Sequence, residues 1–219
     1  MKPYQVEFLD FLRQSGALRF GTFQTKSGRQ SPYFINTGGF STASALDRLG
    51  EAYASLVLER HPEATCLYGP AYKGIPLAVA AALAYRRLSG RDIAWCFNRK
   101  EAKTHGDGGL LVGHVPTAAD RVVLVDDVVT AGLSVRESLD VLRAQGAAHV
   151  LAVVVSVNRQ EAGADRVDAV TSLEKETGLR VSALLNITDV IHELERRGEI
   201  TGELLERIHA YRRTYGSAS

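Results

Sequence analysis

Charge of one sign is what this sequence most lacks. Its 26 Lys and Arg stand against 25 Asp and Glu, a formal +1 over 219 residues. That balance gives no broad field for nucleic acid or an anionic membrane, so any anion must be recognised by a local grouping. Cysteine is scarce as well. Cys66 and Cys96 sit in short apolar runs that read as strands, their spacing fits no metal motif, and a free buried cysteine behaves as a small hydrophobe. No apolar stretch approaches membrane-spanning length. The opening MKPYQVEFLDFLRQ mixes acidic and polar residues into its apolar positions, unlike a signal or transit peptide, so a cytoplasmic location is expected. Neither G-x-x-x-x-G-K-S/T nor G-x-G-x-x-G at a strand–helix junction is present. There is no internal repeat, linker or low-complexity segment.

What remains is an ordinary globular composition, 45% hydrophobic, long enough for one domain with a real core. Val6, Leu9 and Leu12 recur at helical spacing behind Pro3, a good first-turn residue, and Gly16 stops that helix. Residues 17–38 alternate aromatic and β-branched residues with Gly and Pro, which predicts two short strands around a turn at Lys26-Ser27-Gly28. Ser44 and Asp47 suggest a capping box ahead of Leu46, Leu49, Tyr53, Leu56 and Val57. From Cys66 onward strands and helices alternate. The expected strands are residues 66–69, 93–98, 122–125, 150–157 and 181–187. The expected helices are residues 75–87, 133–145, 165–177, 189–197 and 202–215, with a polar, Gly-rich stretch at 99–109. Continuous apolar runs at 122–125 and 150–157 mark strands buried on both faces. The expected fold class is α/β, a mostly parallel sheet flanked by helices, as a single domain of residues 1–219. Residues 1–40 form a small N-terminal cap or hood on the α/β core of 41–219.

The most informative segment is VVLVDDVVTAGLSVRESL, residues 122–139. It reads as a buried strand, two adjacent carboxylates, a short Thr/Gly/Ser loop and a helix. Ligands of open α/β sheets bind beyond the carboxyl ends of strands, where this loop falls. Backbone N–H groups from Thr130 to Ser134 converge where the helix starts, a place that favours phosphate. Gly132 permits close approach, and the Thr130 and Ser134 hydroxyls add donors. Asp126 and Asp127 would repel that phosphate, and suit ribose hydroxyls or the waters of a magnesium ion instead. A lone Asp after a strand is commonplace loop chemistry; the whole string is not. It resembles the phosphoribosyl pyrophosphate (PRPP) motif of type I phosphoribosyltransferases.

Three further segments narrow the resemblance: GPAYKGIPLA at 69–78, CFNRKEAKTHGDGG at 96–109 and FQTKSGRQSPYF at 23–34. With MKPYQ and VNRQE they are similar, nearly residue for residue, to orotate phosphoribosyltransferases of bacterial type, over essentially the whole chain. That resemblance implies transfer of a phosphoribosyl group from PRPP to orotate, giving orotidine 5′-monophosphate and pyrophosphate in pyrimidine biosynthesis. It implies that Lys26, Tyr72, Lys73, Arg99, Lys100, Lys103 and His105 contact PRPP or its pyrophosphate. Asp126, Asp127, Val128, Val129, Thr130, Ala131, Gly132, Leu133 and Ser134 would cradle ribose and 5′-phosphate. Lys26, Phe34, Ile35, Thr130 and Arg159 would hold orotate, with Arg159 on its anionic edge. Lys103 is the expected leaving-group stabiliser, grouped with Asp126 and Asp127 as catalytic. Mg2+ would be bound mainly through PRPP and water, without a metal cage in the protein. The family also implies a homodimer in which loop 99–109 completes the neighbour's site. Departures are few: Ile35 stands where many members carry an aromatic residue, Thr104 replaces a loop acid, and Leu133 occupies a position usually polar or small.

Two other readings keep the same fold. A phosphoribosyltransferase for another base would lack the set Lys26, Phe34 and Arg159. A PRPP-sensing regulator that does no chemistry would carry a DNA-binding domain and a degraded loop. Here about twenty residues precede the first expected strand, too few for a winged helix.

Overall fold

The structure, a computed structural model, describes residues 1–25, 28–103, 109–129, 132–147, 149–162 and 167–217, with side chains for all of these but 102 and 103. Helix α1 (Pro3–Gln14) opens on Pro3 and buries Phe8, Leu9, Phe11 and Leu12. Gly16, at φ +71, turns the chain out of it. Strands β1 (Leu18–Gln24) and β2 (Gln30–Ile35) pair antiparallel as a separate two-stranded sheet. A 3-10 turn at Thr37–Gly39 then leads to helix α2 (Ala43–Arg60). The cap of α2 is Thr42, whose hydroxyl accepts from the Ala45 N–H at 3.3 Å, so the expected Ser44/Asp47 capping pattern lies inside the helix.

The core is a six-stranded sheet of β3 (Cys66–Gly69), β4 (Ala94–Lys103), β5 (Gly109–Gly113), β6 (Arg121–Val125), β7 (His149–Asn158) and β8 (Arg180–Asn186), ordered β5-β4-β3-β6-β7-β8. All neighbours are parallel except β4 and β5. That pair corrects the expectation of a loop for residues 99–103 and 109, while 104–108 lie outside the described residues. Strand β4 runs on through Arg99 and Lys100 to Lys103 and pairs back onto β5, so these cations ride on a hairpin.

Helices α3 (Gly74–Ser89), α4 (Leu133–Ala144), α5 (Ala169–Thr177), α6 (Ile187–Arg196) and α7 (Gly202–Tyr215) complete the layers. Alternation along the central strands feeds two cores. Leu67, Val123, Val125 and Val154 pack with α1, α2, α3, α6 and α7, while Tyr68, Leu124, Val153 and Val155 pack with α4 and Leu173 of α5. This is the double burial that the apolar runs predict. Helix α5 starts after Asp168, whose carboxylate accepts from the Thr171 N–H at 3.0 Å, later than the expected start at 165. Helix α6 starts at Ile187, earlier than expected. Among the described residues no helix is long and apolar enough to cross a membrane.

Candidate active site

The strand order reverses direction at one place. From β3 the chain crosses to β4 on one side, and from β6 it proceeds to β7 and β8 on the other. Helices α3 and α4 consequently lie on opposite faces, and a crevice opens where the loops after β3 and β6 separate. The segments at residues 70–73 and 126–129 form its walls.

Asp126 and Asp127 are buried there, 7% and 9% exposed, and each of their oxygens meets a donor. The Asp126 carboxylate accepts from the Asp127 N–H at 2.8 Å and from the Ser134 hydroxyl at 2.9 Å. Its carbonyl accepts from the Tyr53 hydroxyl at 2.8 Å. The Asp127 carbonyl takes the Ser156 hydroxyl at 2.6 Å and the Ser156 N–H at 3.0 Å. Its carboxylate takes the Val128 N–H at 2.9 Å and the Lys73 ammonium at 2.7 Å. Burial pushes the Asp126 carboxyl above the ordinary carboxylate range, against the lowering effect of the Asp127 N–H and Ser134 hydroxyl. The Ser156 and Thr37 hydroxyl oxygens also lie 3.2 Å apart, which ties the end of the hood to the acidic loop.

The opposite wall is compressed. A Cβ on Gly69 would lie 2.1 Å from the Gly74 carbonyl oxygen, and one on Gly74 would lie 2.8 Å from that of Val125. Both positions therefore require glycine for backbone to pass backbone. Lys73 stands at the N-cap of α3, where a cation opposes the helix dipole. Its partner is Asp127 across the crevice, and that hydrogen bond raises the Lys73 pKa above its ordinary value. Tyr72 is 67% exposed, and the Lys100 ammonium lies 4.7 Å from its ring centroid. Asn98 accepts from the Ala71 N–H at 3.1 Å and so pins this wall to β4. Arg99 donates to the carbonyls of Gly109 and Leu111 at 3.4 and 3.0 Å, inside the hairpin.

On the hood, alternation along β2 places Ser31, Tyr33 and Ile35 on one face. Tyr33 and Ile35 join the main core. Arg159 belongs to that side. Its guanidinium lies 5.0 Å from the Tyr33 ring centroid, reaches Ser31 Oγ at 3.4 Å and pairs with Glu161 at 2.6 Å. The Phe34 ring lies on the other face, 5.4 Å from Phe23 and under the Arg19 guanidinium. Phe34 and Ile35 therefore do not present their side chains together.

The structure thus joins Asp126, Asp127, Ser134, Lys73, Tyr72 and Lys100 around one crevice. Gly132 takes φ +72 at the start of α4, and Leu133 beside it is exposed. Lys26, His105, Thr130 and Ala131, and the side chain of Lys103, lie outside the described residues. Tyr53, Thr37, Asn98, Ser156 and Glu161 were not anticipated. Only Ser156 carries a sequence signal, as the one polar residue inside the apolar run 150–157.

Residues 43–183 match the family model of the phosphoribosyl transferase domain. The chain is 50% identical to the orotate phosphoribosyltransferase of Thioalkalivibrio sulfidiphilus and 45% identical to that of Klebsiella pneumoniae, in each case over 99% of this chain and 100% of the relative. Among solved structures, the orotate phosphoribosyltransferase of Francisella tularensis superposes with a TM-score of 0.86 at 34% identity, covering 96% of this chain and 100% of that one.

Proposed function

This chain belongs to the orotate phosphoribosyltransferases, and from that premise we propose how its crevice carries out the reaction. The enzyme transfers the 5-phosphoribosyl group from PRPP to orotate. The bond from ribose C1 to pyrophosphate oxygen breaks, the bond from C1 to orotate N1 forms, the N1 proton passes to solvent, and pyrophosphate leaves. The single observation that carries the reading is the Lys73–Asp127 ion pair of 2.7 Å across the crevice. It holds a pyrophosphate-seeking cation and a ribose-seeking carboxylate side by side before either has its ligand.

In this reading Asp126 and Asp127 accept the ribose hydroxyls, and the start of α4, with Thr130, Gly132 and Ser134, receives the 5′-phosphate. Lys73, Tyr72 and Lys100, with Lys26, Arg99, Lys103 and His105, meet the pyrophosphate. Negative charge develops on that leaving group in the transition state, so fixed cations lower the barrier. Lys103 is assigned the largest share. Arg159 holds the carboxylate of orotate, flanked by Ile35 and the main chain of Phe34.

The all-oxygen donors of the two adjacent aspartates suit a hard cation. Asp126 and Asp127 would hold magnesium through its waters, and the ion would neutralise pyrophosphate charge when bound. A second copy of the chain is proposed as the partner. Leu83 and Leu88 on α3, Trp95 on β4 and Val115 after β5 are large apolar side chains left exposed. A cytoplasmic location goes with these substrates.

The test is direct. Orotate absorbance should fall only with PRPP and magnesium both present, with equimolar pyrophosphate released. Turnover without added magnesium, after chelation of trace metal, would remove the metal from this reading.

A further inference from the structure

Gln160 is the only non-glycine residue with positive φ among those described, at +48. L residues rarely adopt that conformation, and it persists only where the surroundings over-determine it. Here they do. The Gln160 N–H donates to Asn158 Oδ1 at 2.9 Å, and its side-chain oxygen accepts from the Thr188 N–H at 3.1 Å and the Thr188 hydroxyl at 2.7 Å. Its carbonyl accepts from the Ser217 N–H at 2.9 Å. At the centre stands Arg212 of α7. One guanidinium nitrogen donates to the carbonyls of Arg159 and Gln160 at 3.0 and 2.7 Å, and another to the Thr188 hydroxyl at 3.0 Å. The chain beyond α7 closes the arrangement: Ala162 N–H donates to the Tyr215 carbonyl at 2.8 Å, and Glu161 bridges to Gly216.

These contacts fix the main chain on both sides of one peptide, and the residue immediately before the left-handed Gln160 is Arg159. The direction of its guanidinium over Tyr33 follows from that backbone. The planar guanidinium holds both carbonyls from one nitrogen and the Thr188 hydroxyl from another, which a lysine ammonium does less well. We propose that Arg212 is a positioning residue for base recognition, acting through the carbonyls of Arg159 and Gln160 to aim Arg159 at the carboxylate of the bound base. The inference rests on the reading above that Arg159 meets that carboxylate. It assigns the C-terminal helix a part in substrate choice although, among the described residues, α7 contributes no group to the PRPP crevice.

Michaelis constants for orotate and PRPP, measured separately, test it in Arg212→Ala, Arg159→Ala and the double variant. Arg212→Ala should raise the constant for orotate about tenfold, leave that for PRPP within about twofold, and add nothing to Arg159→Ala. A residue that merely stabilises the fold would shift both constants, or would multiply the Arg159→Ala effect. Either result, or an unchanged orotate constant, overturns the proposal. An orotate constant unmoved by Arg159→Ala removes the reading beneath it, and the proposal with it. Should Arg212→Ala not fold, Arg212→Lys retains the stem and charge but cannot hold the carbonyls and the Thr188 hydroxyl together. It should give an intermediate orotate constant, and a wild-type value there counts against the proposal.

Discussion

Asp126 and Asp127 are buried, and every oxygen they own already meets a donor from the protein. Lys100, on the opposite side of the same crevice, touches an exposed tyrosine ring, and Arg99 is occupied within its own hairpin. The acidic floor is thus fixed before any ligand arrives, by groups on α2, α4, β7 and the 3-10 turn. The basic arm is a two-stranded extension at the sheet edge. The difference matches the roles proposed for each. Ribose recognition requires hydroxyl acceptors held in one geometry. Leaving-group stabilisation requires cations that reach pyrophosphate and then let it go.

The sharpest way to break this contrast mixes the two halves. Lys103→Ala should lower the chemical rate by about 10²–10³, as for loss of one transition-state donor, while PRPP binding persists. A separate variant with Asn at positions 126 and 127 should also be inactive. If the chain pairs as proposed, refolding the two together in equal amounts makes about half the dimers mixed. If the arm serves the neighbouring site, a mixed dimer contains one site with both an intact floor and an intact arm. Activity should then return to about a quarter of wild type. No recovery, with mixed dimers confirmed by native mass spectrometry, means that the arm acts on its own floor.

A smaller effect separates floor from arm by stability. Tyr53→Phe leaves the buried Asp126 carbonyl without its donor, a loss of about 1–3 kcal/mol in denaturant unfolding. Ser156→Ala should cost less, about 0.5–1.5 kcal/mol, because the Asp127 carbonyl keeps the N–H of residue 156. Both should raise the Michaelis constant for PRPP, and equal stability to wild type would show that the floor is not anchored as described.

The smallest effect belongs to the arm. Lys100→Ala should change unfolding free energy by no more than about 0.5 kcal/mol, since its one described contact is exposed. A loss as large as that of Tyr53→Phe would erase the distinction between fixed floor and free arm.

Much of the fold was legible in the chain because its signals are local. The apolar runs at 122–125 and 150–157, with helices closed by Gly146 and Gly178, announce a doubly covered parallel sheet. Residues 99–103 read as a loop in sequence for an equally local reason. They are Arg, Lys, Glu, Ala and Lys, which have little strand preference, and only pairing with β5 extends β4 through them. Phe34 and Ile35 read as neighbours in sequence, yet strand alternation turns their side chains to opposite faces.

By itself the sequence determined the chemistry on offer: the acid pair, the helix start after it, the basic segment and Arg159. Those depend on residue type and short-range order, which a chain carries with it before folding. Only the tertiary structure decided which groups are held and by what. Tyr53 reaches the Asp126 carbonyl from 73 residues away, and Arg212 reaches that of Arg159 from 53. Nothing in the local pattern marks either one. A buried carbonyl must find a donor wherever the packed chain supplies it, and that choice is made by packing across the whole molecule.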